Sequence, residues 1–132
     1  AMAVPMTMIM ATATNLSPDA LFAAALDRVG EDEHTPELLL QIWAGAKSDP
    51  GLWALLLREV ATVKASIIVF IGGWCAEHSP GTDPGLLASA IMSLVTGYAV
   101  QRSLGLEIDQ AAYRRFGAAM IAEVTARASA DA

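Results

Sequence analysis

Apolar residues fall in five blocks at helical spacing, most of them opened by a capping residue and a proline. Ser17-Pro18, Thr35-Pro36, Asp49-Pro50 and Asp83-Pro84 each place a side-chain oxygen before a proline, and Asp109 opens the last block without one. An oxygen at the N-cap accepts from an orphaned backbone N–H, worth about 1 kcal/mol. Proline at the first helical position gives up only a donor that had no partner there. Gly30, Pro80, Gly81 and Gly105 lie between blocks, as breakers should. The spacing predicts helices over about 18–29, 36–47, 50–77, 84–104 and 109–127. No stretch alternates with period two long enough to make a strand, so the expected class is all-α, a bundle of about five helices. Asp-Pro-Gly-Leu occurs twice, 34 residues apart, but the stretches that follow do not match. The two copies read as two helix starts and not as a structural repeat.

The faces of these helices differ. On the third, Leu52, Leu56, Val63, Ile67, Phe70 and Trp74 fall within about 60° at the usual 100° per residue, which predicts a core stripe. From Ala65 to Ala76 the same helix is apolar all round and is expected to be enclosed on every side. Gly72 and Gly73 inside that run predict close packing or a kink. The fourth helix lines up Leu87, Ile91, Leu94 and Tyr98, with Leu86, Ala90, Gly97 and Leu104 alongside. The fifth lines up Tyr113, Phe116, Met120 and Val124, with Ala111, Ala118, Ala122 and Ala126 opposite. Apolar material on two flanks of both final helices predicts that they are sandwiched between their own domain and a second subunit. The alternative is a bundle core closed within one chain.

Composition sharpens this picture. Of 132 residues, 55% are hydrophobic and 17% charged, rich enough for a very apolar core or a covered surface. The net charge is −6, and the eight Lys and Arg are scattered. Phosphate binding needs a clustered basic face, so this segment is not expected to bind nucleic acid. A lone cysteine, Cys75, excludes an intrachain disulfide framework and fits a reducing cytoplasm. The uncharged run around it, Ala65–Ala76, has twelve residues, against about twenty for a membrane span. No membrane partner is expected. Residues 1–16 lack the basic flank of a secretory signal and are expected to be disordered or a cloning remnant, ahead of a helical domain over 17–128.

Candidate chemistry is sparse. Glu59 shares the wedge of Leu56 and Val63 and could anchor a ligand, or it could be an edge residue turned to solvent. Trp43, Trp53, Phe70, Trp74, Cys75 and Met92 could line an apolar pocket, with Val63 and Ile67 beside them, although each also suits a core. Glu31 and His34 have the spacing of half a carboxylate-bridged metal site, but a solvated loop explains them better. Glu77 and His78 close the third helix, where a histidine suits the negative end of the dipole. Cys75 in an apolar run is expected to be inert. No nucleophile elbow, zinc helix, phosphate loop or dinucleotide fingerprint is present. Neither catalysis nor a cofactor is expected.

The order of these features resembles the C-terminal effector-binding and dimerisation domain of TetR-type (tetracycline-repressor-like) transcription regulators. The likeness runs from about Ser17 to Arg127 and is most specific over "DPGLLASAIMSLVTGYAVQRSLGLEID", Asp83–Asp109. It implies a homodimer through a four-helix bundle of the last two helices, and a small hydrophobic effector among the middle ones. On that reading Trp43, Glu59, Val63, Ile67, Phe70, Trp74 and Met92 touch the effector. Leu87, Ile91, Leu94, Tyr98, Tyr113, Phe116, Ala118, Met120 and Ala122 form the dimer interface. It also implies a helix-turn-helix head that binds operator DNA, for which there is no room before Ser17. A truncated repressor is therefore expected. The alternative is a headless helical dimer that carries a ligand or binds a protein, and a small helical enzyme comes third.

Overall fold

The computed structural model describes the backbone of residues 16–31 and 35–131, and the side chains of residues 16–31 and 41–130. These residues form α1 (Pro18–Glu31), α2 (Thr35–Ala46), α3 (Pro50–His78), α4 (Pro84–Ser103) and α5 (Gln110–Asp131), with no strand among them. The all-α, five-helix class is thus as read from the sequence. The last helix runs beyond 127, to Asp131. Residues 1–15, His34 and the capping oxygen of Thr35 lie outside the described residues.

The caps explain why the helices start where they do. Asp49 Oδ1 accepts from the N–H groups of Gly51 and Leu52 at 3.0 and 3.2 Å, and Asp83 Oδ1 from those of Gly85 and Leu86 at 2.8 and 3.3 Å. Asp109 Oδ1 accepts from Ala112 N at 3.1 Å, and Ser17 Oγ from Ala20 N at 3.4 Å. The end of α4 is a Schellman turn: Leu106 N donates to Gln101 O and Gly105 N to Arg102 O. Gly105 takes φ +80°, where a side chain would be strained.

Packing follows from the apolar faces. α1 lies against α5 and α4, and α3 lies against α4. Leu21, Phe22 and Leu26 of α1, Ile67, Ile71 and Cys75 of α3, Leu87, Ile91 and Tyr98 of α4, and Ile121 of α5 make one core. The Phe22 ring seats directly on Gly117, where a Cβ would collide with it. Polar ties fix both ends of this block. At one end Ser79, fully buried, donates from Oγ to Thr125 O at 2.7 Å, and Gly81 passes 2.7 Å from Ala128 O at the position a Cβ would take. At the other end Arg102 Nη1 donates to Gly30 O at 2.9 Å, capping the C-terminal carbonyls of α1, while Arg114 pairs with Asp27 at 3.2 Å.

Two expectations about α3 are corrected. Its buried line is Ile67, Ile71 and Cys75, rotated from the predicted wedge, so Leu52 and Val63 are exposed while Phe70 and Trp74 are half-buried. Nor is Ala65–Ala76 enclosed: Val69 is 79% exposed, and Ala65, Gly73 and Ala76 are exposed beside it. The reason is position. α3 is an outer helix that packs by one face, and its 29 residues outrun the 20 of α4 by about 13 Å. The same face continues into the overhang as Trp53, Leu57 and Val60, all exposed. Gly72 faces Pro84 at ordinary contact distance, 3.9 Å for an added Cβ, and Gly73 faces open space.

α4 is long and apolar enough, by length and composition, to cross a membrane. In this fold its inward line, Leu87, Ala88, Ile91, Tyr98 and Ala99, is buried in the protein core.

Candidate functional site in the groove between α4 and α5

α4 and α5 run antiparallel. Tyr113 OH donates to Leu94 O at 2.7 Å near the middle of α4, and the buried Tyr98 ring stacks at a tilt against Tyr113, 5.3 Å between centroids. Beyond Tyr113 the two helices leave an open groove of about 710 Å³. Its α4 wall is Leu86, Ala90, Ser93 and Leu94, its α5 wall is Met120, Val124 and Ala128, and its floor includes the buried Leu87 and Ile121. Gly81, Thr82 and Asp83 close the end where α3 turns into α4. Leu86, on the groove wall, is 72% exposed, and Phe116, one turn from Met120, is 66% exposed.

The polar groups along the groove make hydrogen bonds within the chain. Ser93 Oγ donates to Ser89 O at 2.8 Å, Thr82 Oγ1 shares a 2.7 Å hydrogen bond with Ser79 Oγ, and Asp83 Oδ1 caps its own helix. Among the described residues, no Lys, Arg or His lines the groove. A second cavity of about 520 Å³ lies at the α4–α5 joint, lined by Tyr98, Arg102, Leu106, Glu107, Ile108 and Asp109. Its groups hold the fold: Arg102 caps α1 and Asp109 caps α5.

The proposed interface residues divide. Leu94 and Met120 line the groove, and Phe116 and Ala122 are exposed on α5. Leu87, Ile91 and Tyr98 are corrected: all three are buried in their own chain, and of them only Leu87 reaches the groove, at its floor. The bulkiest line of α4 was taken by the intrachain core because α1 and α3 both need it. Tyr113 and Ala118 also pack against that core. Leu86, Ala90, Ser93, Ile121 and Val124 were absent from the expected set. For the first three the signal was the neighbouring line on α4, Leu86–Ala90–Ser93–Gly97, at helical spacing but with smaller side chains.

The seven expected effector residues do not meet around either cavity. Ile67, Phe70, Trp74 and Met92 belong to the core or pack on it, whereas Trp43, Glu59 and Val63 are exposed on the surface. Trp74 stacks on His78, 4.8 Å between ring centroids, and the imidazole Nδ1–H donates to Trp74 O at 3.1 Å. Burial pushes the Cys75 thiol and the Tyr113 phenol above their ordinary pKa values. No group of three or more metal-ligating side chains occurs among the described residues. Comparison with family models, with curated proteins and with solved structures gives no match for this chain.

Proposed function

We propose that this chain is the effector-sensing and dimerisation domain of a TetR-type transcription regulator, acting in the cytoplasm as part of a repressor. In this reading two copies meet through the outer faces of α4 and α5 and build a four-helix bundle. The observation that carries it is the apolar outer face around the groove. Leu86, Ala90, Phe116, Met120 and Val124 stand in water on a single chain, although the inner lines of both helices already fill a core. A contiguous apolar patch of this kind is the mark of a protein interface. Operator DNA is contacted by a separate head, since the basic residues here are scattered. A small hydrophobic effector shifts the balance between two spacings of the subunits, and a few kcal/mol of differential affinity is enough to do so.

Sedimentation of the chain at micromolar concentration tests the reading: a dimer is expected. A chain that stays monomeric to tens of micromolar removes it.

A further inference from the structure

We propose, independently of the dimer reading, that the cavity at the α4–α5 joint binds a small zwitterion: a carboxylate and an ammonium group on one short apolar body, as in a free amino acid.

A buried phenol marks the site. Tyr98 is only 3% exposed, yet it lines the cavity. Among the described residues its hydroxyl has one hydrogen-bond partner, Gln110 Oε1 at 3.5 Å. Gln110 opens α5, so the hydroxyl points toward the joint. O–H···O bonds run from about 2.5 to 3.0 Å, so this long contact holds little. Tyr113 shows the contrast, with its hydroxyl 2.7 Å from Leu94 O. A buried hydroxyl without a close partner is costly, and a ligand oxygen at hydrogen-bond distance removes that cost.

The charges around the phenol come in both signs. Arg102 stands one turn beyond Tyr98 on α4, and its hydrogen bonds to Val29 O and Gly30 O both leave from Nη1. Glu107 and Asp109 line the cavity from the connecting loop. Asp109 caps α5 through Oδ1, and Glu107 is exposed. Leu106 and Ile108 supply apolar wall. A simple anion would meet two carboxylates beside one guanidinium, and a simple cation would meet the guanidinium. A zwitterion answers both. Its carboxylate takes the Arg102 guanidinium and the Tyr98 hydroxyl, its ammonium takes Glu107 and Asp109, and its body lies on Leu106 and Ile108. Hydrogen bonds between charged groups are the strong ones, so both ends contribute.

The loop is held in place without a ligand. Leu106 N donates to Gln101 O, Gly105 N donates to Arg102 O, and Ile108 packs on the core. The cavity of about 520 Å³ falls in the usual range for small-molecule sites, roughly 300–1,000 Å³. Little ordering is then needed on binding.

The probe is L-leucine, titrated calorimetrically into the chain at neutral pH. Isocaproate and isoamylamine run beside it, since they keep the same body and lack the ammonium or the carboxylate. Leucine should bind at least about tenfold more tightly than either analogue. Tyr98→Phe should weaken leucine about tenfold with unchanged helicity, because the lost hydroxyl makes no short bond within the chain. Glu107→Gln, at an exposed loop position, should also weaken leucine about tenfold while leaving isocaproate unweakened. An absence of saturable heat from leucine up to about 10 mM overturns the site. So does an analogue that binds as well as leucine. Leucine affinity unchanged in Tyr98→Phe or in Glu107→Gln overturns it too, and the exposed Glu107 keeps the test decisive if Tyr98→Phe fails to fold. None of these results bears on the dimer, which sedimentation tests separately.

Discussion

Gly117 carries the Phe22 ring against the backbone of α5, and Gly97 faces open space on α4, so the two glycines answer alanine in opposite ways. Alanine at 117 must displace a fully buried ring, and overpacking of this kind costs about 1–3 kcal/mol. Alanine at 97 meets nothing and gains up to about 1 kcal/mol of helix propensity. Urea unfolding is expected to give Gly117→Ala a lower midpoint than wild type and Gly97→Ala an equal or higher one. Identical midpoints for the pair would show that the ring yields freely. A second residue-scale effect comes from Cys75, whose thiol is held protonated by burial. The unfolded chain releases that proton above about pH 8.5, so it then binds fewer protons than the folded chain. Stability should therefore be full below that pH and fall as pH rises, with the decline continued by Tyr113, whose phenol is also raised. In Cys75→Ala the first part of this alkaline fall should shrink, measured as urea midpoint against pH. The apolar run around Cys75 made its inert setting legible in the sequence. The seat of Phe22 on Gly117 was not legible, because a contact between α1 and α5 leaves no local pattern.

The helices themselves were the most readable part of the chain. Ser-Pro and Asp-Pro pairs are local chemistry, and the caps at Ser17, Asp49, Asp83 and Asp109 form as the spacing predicts. Asp83→Ala removes the acceptor for Gly85 N and Leu86 N, and a lost cap costs about 1 kcal/mol. Because α4 sits at the centre of the packing, that loss is expected to lower global stability. Thermal unfolding followed by circular dichroism should show one transition at a lower temperature, without loss of helix content beforehand. A lower first step with α4 melting alone would contradict the cooperative block described here. Rotation about the helix axis was less readable. α3 is apolar over so much of its surface that several stripes competed, and the choice fell to its neighbours. α4 claimed the line of Ile67, Ile71 and Cys75, and left Leu52, Val63 and Val69 outside.

At the scale of the whole molecule, the sequence announced apolar flanks on the last two helices but not how they would be shared. The bulky line of α4 turned inward, and Leu86, Ala90, Phe116, Met120 and Val124 stayed exposed on the outer face. Met120→Glu places a charge on that face without entering the core. It is expected to convert a sedimenting dimer to a monomer with unchanged helicity, weakening self-association at least about tenfold. Unaltered sedimentation would place the contact on another surface, such as the overhang of α3. The effector residues expected in the middle of the bundle were unreadable for a plain reason: aromatic and methionine side chains look the same in a sequence whether they line a hollow or fill one. One feature of the architecture limits how α4 and α5 can move apart. Ser79 bolts the α3–α4 corner to Thr125 at one end of the groove, and Tyr113 bolts α5 to α4 at the other. A slot pinned at both ends cannot gape like a jaw. It can only bow at mid-span, so any breathing of the groove is confined to the stretch between those two ties.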